Sequence, residues 1–203
     1  MTGLTIKLGI KYMRIFLLIL ILILNIQSWT KAEDIKDFEI EGMSIGDSAL
    51  EFYDKELIIS NTHTQPYKDD EYYTVEFVEN NKTYETITLT FKKSDKNFII
   101  HSLTGYNYVK YEECLIKQKS IADDIKSVIK NIKNEKNYTS DYGDEYGKSF
   151  AKVIEFVLVN GSARIWCDNF DKKNDISKQW PDAINVDLST EKFLYWLDYV
   201  AYK

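Results

Sequence analysis

Histidine and cysteine are scarce in this sequence, with two of each among 203 residues. The histidines are His63 and His101, so none follows residue 101. A nucleophilic hydrolase needs a base beside its serine or cysteine, and that base is most often histidine. Two isolated histidines also do not form a transition-metal site. Proline and glycine are few, two and eight residues, so no linker rich in them divides the chain.

Long apolar runs are confined to the N-terminus, where three basic residues precede an apolar run over 15–26. This pattern is typical of a secretory signal peptide, and the run is shorter than the ~20 residues of a membrane-spanning helix. We expect a signal peptide over 1–32, cleaved after Ala32, and a periplasmic or secreted protein. A start at Met13 preserves the pattern. The alternative is an uncleaved segment that anchors the protein in the inner membrane.

Acidic residues outnumber basic ones, 32 to 26, which gives a net charge of −6. Residues 1–32 hold four basic residues and no acidic one, so 33–203 carries 22 basic and 32 acidic residues, a net charge of −10. Such a surface repels phosphate backbones and anionic headgroups. We therefore expect no nucleic-acid partner, and membrane contact only through an uncleaved N-terminal segment.

The two cysteines are Cys114 and Cys167. Export places them in an oxidising compartment, where a lone pair of cysteines tends to form a disulfide. Two separate buried thiols are the alternative. No cysteine stands near the predicted cleavage site to carry a lipid.

The apolar patterns predict an α+β protein with antiparallel sheet of five to six strands and two to three packed helices. Residues 33–203 are expected to form one domain, with helix-plus-meander halves at 38–109 and 110–203 as an alternative. Helices are predicted over 44–58, over 111–134 and from about Thr190. Strand patterns lie at 72–79, 84–93, 97–109, 149–159, 162–170 and 183–189. The polar residues 133–149 are predicted to form a loop.

Residues 46–50, Gly-Asp-Ser-Ala-Leu, are similar to the serine block of the GDSL lipases and esterases. Those enzymes take their base from an Asp-x-x-His motif near the C-terminus, and this chain contains no such motif. We therefore predict that Ser48 is not a nucleophile. Ser44 and Asp47 would instead cap the helix over 44–58. The core-facing side of that helix would consist of Leu50, Tyr53 and Leu57.

Two further motifs are weak. Residues 143–149 look like a shortened phosphate-binding loop, but Tyr142 stands where the first glycine is required. The acidic run Asp168, Asp171 and Asp175 allows a weak Ca²⁺ site, although it lacks the spacing and central glycine of an EF-hand loop. Solvated loops are the expectation for both, with no metal, cofactor or catalytic residue assigned.

Four aromatic residues are a candidate binding surface: Tyr106, Tyr108 and Tyr111, with Trp166 in the second half of the chain. They would form a groove for a peptide or a glycan. The alternative is that they pack on a sheet face or in the core.

Residues 37–58 (DFEIEGMSIGDSALEFYDKELI) and 96–121 (KNFIIHSLTGYNYVKYEECLIKQKSI) resemble uncharacterised exported proteins of marine alphaproteobacteria. Gly42-Met43-Ser44, followed by a short helix and a meander, also looks like the opening of the SmpA/OmlA-type outer-membrane assembly lipoproteins. Their lipid-bearing cysteine is absent here, so this resemblance does not imply a lipid anchor. Neither resemblance implies an assigned activity.

The absence of a catalytic set favours an exported envelope protein that binds without catalysis. Its partner would be another envelope protein or a cell-envelope component. The alternative is a periplasmic hydrolase that uses paired carboxylates, since Asp and Glu can act as acid and base without histidine.

Overall fold

A computed structural model of the protein describes residues 34–63, 67–78, 83–129 and 131–203. The predicted signal peptide and its cleavage site after Ala32 lie outside these residues. Among the residues described, no helix is both long enough and apolar enough to cross a membrane.

In the described part of the chain, eight antiparallel strands form one sheet in the order β1-β2-β3-β4-β8-β7-β6-β5. Seven of them have seven to nine residues, and β1 has two. The α+β class is confirmed, but five to six strands was too low. The strands are β1 Thr62–His63, β2 Tyr72–Val78, β3 Thr86–Lys92, β4 Ser102–Tyr108, β5 Asn134–Asp141, β6 Phe150–Leu158, β7 Gly161–Asn169 and β8 Ala183–Thr190. The helices are α1 Lys55–Ser60, α2 Tyr111–Val128 and α3 Glu191–Tyr199.

The sheet consists of two four-stranded meanders, β1–β4 and β5–β8, joined where β4 pairs with β8. Leu103 of β4 lies opposite Leu188 of β8, and both side chains are buried. This pairing places β8 in the middle of the sheet, so every β8 residue except Thr190 is buried. The alternation predicted for β3 is confirmed, because Ile87, Leu89 and Phe91 are fully buried.

Helix α2 lies against β7 and β8 on one face of the sheet. It begins at Tyr111, as predicted, and ends six residues before the predicted end at residue 134. Cys114 of α2 forms a disulfide with Cys167 of β7, with Cα atoms 5.7 Å apart, so the predicted pairing is confirmed. Buried Gln118 donates to the Ile165 carbonyl at 2.8 Å. The covalent bond and this hydrogen bond fix α2 to the sheet.

The helix predicted over 44–58 is wrong. Gly46 has φ +96°, a left-handed conformation that a continuous helix cannot include. A 3-10 turn at Ala49–Glu51 and the six-residue α1 replace it. Leu50 and Leu57, expected in the core, are 42% and 45% exposed. The buried side chains of this segment are Ile45, Ala49 and Ile58.

The loop predicted over 133–149 is also wrong, because residues 134–141 form β5 at the edge of the sheet. All eight side chains of β5 are exposed. A strand exposed on both faces shows no apolar alternation, so the pattern that identified the other strands was missing here. Its pairing with β6 comes from backbone hydrogen bonds, in a register that sets Tyr138 opposite Val153.

Candidate functional site

The face of the sheet opposite α2 is polar and carries the candidate site. Successive residues of a strand point to opposite faces, so Cys167 on the α2 side puts Trp166 and Asp168 on the other face. Helix α3 crosses part of this polar face, near β7 and β8. The uncovered part is a groove over β5, β6 and β7.

A buried ion pair lies at the centre of the polar face. The Nε and Nη2 atoms of Arg164 donate to Asp187 Oδ2 at 3.0 and 2.8 Å. The side chain of Asp187 is 2% exposed and that of Arg164 19% exposed. Burial disfavours the charged guanidinium, but the charge and hydrogen bonds of Asp187 outweigh this effect and raise the Arg164 pKa.

Hydroxyl groups satisfy the rest of the Asp187 carboxylate. Oδ1 accepts from Ser102 at 3.0 Å and from Thr104 at 2.9 Å, both on β4. Ser189 also donates to Oδ2, at 2.9 Å. A buried carboxylate with this many donors is held in place, so Asp187 acts here as a fixed partner for Arg164.

A second carboxyl group, that of Asp168, is buried four residues further along β7 from Arg164. It accepts from Tyr142 Oη at 2.5 Å and from Asn185 Nδ2 at 2.8 Å. Burial raises the Asp168 pKa to about 6, although both hydrogen bonds act to lower it. Burial and the charge of Asp168 together raise the pKa of Tyr142, so this phenol stays protonated and donates.

The groove has a volume of ≈ 690 Å³. This lies within the range of roughly 300–1,000 Å³ that is typical of small-ligand sites. Its walls combine aromatic rings with a few polar groups. One side comes from Leu197 and Asp198 of α3 and from Tyr202 in the segment after it. Tyr138 of β5 and Trp166 of β7 lie in one row of the sheet, separated by Val153. The rings that line the groove are Tyr138, Tyr142, Trp166 and Tyr202, and Arg164 lies among them.

The structure separates the four aromatic residues singled out in the sequence. Trp166 lines the groove, and Tyr106 lies in the same row two strands away, beyond Asn185. Tyr106 and Tyr108 contact edge to face, with centroids 4.8 Å apart. Tyr111 instead packs on Phe150 at the start of α2. The groove therefore has a different set of tyrosines from the one the spacing suggested.

Sequence reasoning missed Tyr138, Arg164 and Asp187. Tyr138 lies in the segment that the sequence predicts to be a loop. Arg164 and Asp187 each interrupt an apolar strand pattern with a charge, and Arg164 is the only arginine after the apolar run. Two opposite charges within buried strands were a usable signal that the strands pair, because buried charges need partners.

Ser48, the serine of the GDSL-like block, has a structural role. Its Oγ donates to the Asn97 carbonyl at 2.6 Å and accepts from the Leu50 N–H at 3.3 Å. It caps the 3-10 turn that follows, and Asp47 accepts from the Ser44 N–H at 2.8 Å. The block thus forms a pair of capped turns, and the Ser48 hydroxyl is used in hydrogen bonds to the backbone.

The remaining candidates are also placed. The segment 143–149 leads into strand β6 and not into a helix, so it lacks the context of a phosphate-binding loop. Asp171 accepts from backbone N–H groups, including that of Lys148 at 3.1 Å, and Asp175 pairs with Lys178. Across the described ranges, no group of three or more metal-ligating side chains converges. His101 stands directly before β4, where its ring contacts Tyr72 edge to face.

Comparisons of the chain with protein-family models, with curated proteins and with solved structures gave no match.

Proposed function

We propose that the protein is an exported binding module that holds a segment of a partner protein in the groove over β5, β6 and β7, without catalysis. The observation that carries this proposal is the lining of the groove, in which Tyr138, Trp166 and Tyr202 surround Arg164. Tyrosine, tryptophan and arginine are the side chains that most often anchor protein–protein contacts.

The rings are accessible to a partner. Tyr138 is 41% exposed and Tyr202 is 55% exposed, so a ligand in the groove would bury aromatic surface that water now covers. Asp187 neutralises the charge of Arg164 but accepts from only two of the guanidinium nitrogens, Nε and Nη2. The remaining N–H groups suit a carbonyl or carboxylate of the partner, which gives the groove a polar anchor between its apolar walls.

The positions of the carboxylates support binding over hydrolysis. Acid/base catalysis by carboxylates needs two such groups that face one substrate. Asp187 is bonded to Arg164 and to hydroxyl groups, and neither Asp187 nor Asp168 lines the groove. Asp198 is the acidic residue that does line it.

Two features support export. The N-terminal pattern is that of a signal peptide. The Cys114–Cys167 disulfide is typical of oxidising compartments such as the periplasm or the exterior. A fusion of residues 1–40 to alkaline phosphatase, which is active only after export, tests this part of the proposal. An inactive fusion would argue against it.

The binding proposal is tested with two tyrosine variants. Proteins captured from a periplasmic extract by the wild-type chain are purified, and their affinity is measured by calorimetry. We expect Tyr138→Thr, in the groove, to weaken binding at least about tenfold, or about 1.4 kcal/mol. Tyr195→Thr is the matched control, since Tyr195 is 63% exposed on α3 and outside the groove. Equal effects of the two variants would place the binding surface elsewhere.

A carboxylate hydrolase is the second candidate, and the Asp168 pKa of about 6 favours it, because a general acid works best near the ambient pH. It would require Tyr142 to move aside and expose Asp168. Hydrolysis of a glycoside or peptide library that is abolished by Asp168→Asn, with the fold retained, would establish it.

A further inference from the structure

Strand β5 is an open edge of the sheet. It is last in the strand order and pairs with β6 on one side only. The opposite edge, β1, has two residues, whereas β5 has eight. An edge strand leaves every second N–H and C=O without a strand partner, which makes it a template for another strand.

The direction of those groups follows from the backbone bond just after β5. Tyr142 N donates to Ser149 O at 3.3 Å, so residues of even number point their backbone groups toward β6. Glu135, Asn137 and Thr139 therefore point theirs outward. Their side chains lie on the α2 side of the sheet, since Glu135 contacts Lys126 of α2 at 2.8 Å. Before β5, Lys133 N donates to Val157 O of β6 at 2.9 Å, so Lys133 faces β6 and is not part of the outward row.

Charges on an edge strand normally prevent such pairing, but the central charges of β5 are neutralised within the chain. Lys136 pairs with Glu155 at 3.1 Å and Glu135 pairs with Lys126 at 2.8 Å. Asn137, Tyr138 and Thr139, between these pairs and the end of the strand, carry no charge. A lysine in the middle of an edge strand normally discourages pairing with another strand. Here the charge of Lys136 is largely neutralised by Glu155.

We propose that β5 pairs antiparallel with β5 of a second copy of this chain, about a twofold axis at Asn137. This register sets Glu135 opposite Thr139 of the second copy, and the Asn137 side chains face each other. No like charges lie directly opposite each other in this register, which satisfies the charge requirement of a strand pair.

The neighbouring twofold registers are less favourable. A shift of the axis to Lys136 sets two lysines against each other. A shift to Tyr138 sets Glu135 opposite Asp141. Like charges directly opposite destabilise a strand pair, so the sequence of β5 selects the register centred on Asn137.

Pairing would also change the groove. Tyr138 lines it, and the proposed register places Lys136 of the second copy opposite Tyr138 on the groove face. The open side of each groove would then be bordered by the other copy. The dimer itself rests on the edge strand alone and does not depend on the function proposed for the groove.

Cysteine cross-linking tests the register. The native cysteines are bonded to each other, so an introduced cysteine is the free thiol. Opposed residues in a hydrogen-bonded pair have Cα atoms about 5.5 Å apart, a distance that a disulfide spans. We expect Asn137→Cys in the full chain to form a covalent dimer on mild oxidation, seen on a non-reducing gel. Thr139→Cys is the matched control, because its copies would be separated by about 13 Å along the strands.

A mixture of Glu135→Cys and Thr139→Cys chains is expected to cross-link more than either variant alone. Absence of the Asn137→Cys dimer, or equal cross-linking of Asn137→Cys and Thr139→Cys, would overturn the proposal. Light scattering gives a second measurement, the mass of the assembly, for use where a cysteine variant misfolds. Asn137→Lys sets two charges at the axis and is expected to raise the dimer dissociation constant more than tenfold, whereas exposed Gln179→Lys is not. If Asn137→Lys leaves the dimer dissociation constant unchanged, the proposal is also refuted.

Discussion

Arg164 and Asp187 are joined across the strand pair β7–β8, where two nitrogens of the guanidinium donate to one carboxylate oxygen at 3.0 and 2.8 Å. The pair links the polar face of the second meander to β4, because Asp187 also accepts from Ser102 and Thr104. It therefore stabilises the junction of the two meanders as well as the floor of the groove.

Removing Asp187 is expected to be severely destabilising. Asp187→Ala leaves the Arg164 charge partly buried without its partner, so we expect the free energy of unfolding to fall by about 3–5 kcal/mol. Urea denaturation followed by circular dichroism measures this change. The control is Lys136→Ala, which breaks a more exposed pair with Glu155 and is expected to cost less than about 1 kcal/mol. Similar losses in both variants would contradict a special role of the buried pair.

The disulfide is expected to contribute substantially to stability. Cys114 and Cys167 are 53 residues apart, and closing a loop of that length stabilises the fold by about 4 kcal/mol in the chain-entropy model. The variant in which both are alanine should unfold at a correspondingly lower urea concentration. Reduction of the wild-type chain should reproduce the loss. If reductant leaves the unfolding midpoint of the wild-type chain unchanged, the bond is not stabilising.

Asp168 should make stability depend on pH. Its pKa is about 6 in the folded chain and about 3.9 when unfolded, so the folded state binds more protons between these values. Its contribution to stability is therefore fully present below about pH 4 and is lost as the pH rises to about 6. The expected loss is about 3 kcal/mol. In Asp168→Asn this part of the pH dependence should disappear.

A companion variant tests the cause. Tyr142→Phe removes a hydrogen bond that lowers the Asp168 pKa, so we expect the titration to move to higher pH. Denaturation curves measured at several pH values, or carboxyl chemical shifts in NMR, follow it. If the pH range of the Asp168 titration is the same in Tyr142→Phe, Tyr142 does not contact the carboxylate in solution.

Gly161 is expected to tolerate no side chain. A Cβ atom there would lie 2.2 Å from the Ser189 carbonyl oxygen, within the β7–β8 backbone pair. We expect Gly161→Ala to lower the free energy of unfolding by about 1–3 kcal/mol, measured in urea. Asn160→Gly is the control, since Asn160 has φ +64° and glycine accepts that conformation at little cost. A larger loss of stability in Asn160→Gly than in Gly161→Ala would count against the close approach of Gly161 to the Ser189 carbonyl.

Local patterns predicted much of the fold because each describes one segment and its buried face. Ile87, Leu89 and Phe91 alternate in sequence and are buried in β3, and the apolar stripe of α2 begins where it was predicted. The errors arose where the local signal and the tertiary contacts disagreed. Capping residues at Ser44 and Asp47 suggested a helix, but Gly46 adopts a positive φ and the chain turns. Exposed β5 had no apolar face to detect.

The sequence by itself determined the strand alternation, the α2 stripe, the acidic charge and a cysteine pair that could bond. The tertiary structure alone decided that β4 pairs with β8, that Arg164 meets Asp187 and that Tyr138 and Tyr202 share a groove with Trp166. The physical reason is distance along the chain. Alternation and capping depend on neighbours within a few residues, whereas these contacts join residues that only the folded sheet brings together.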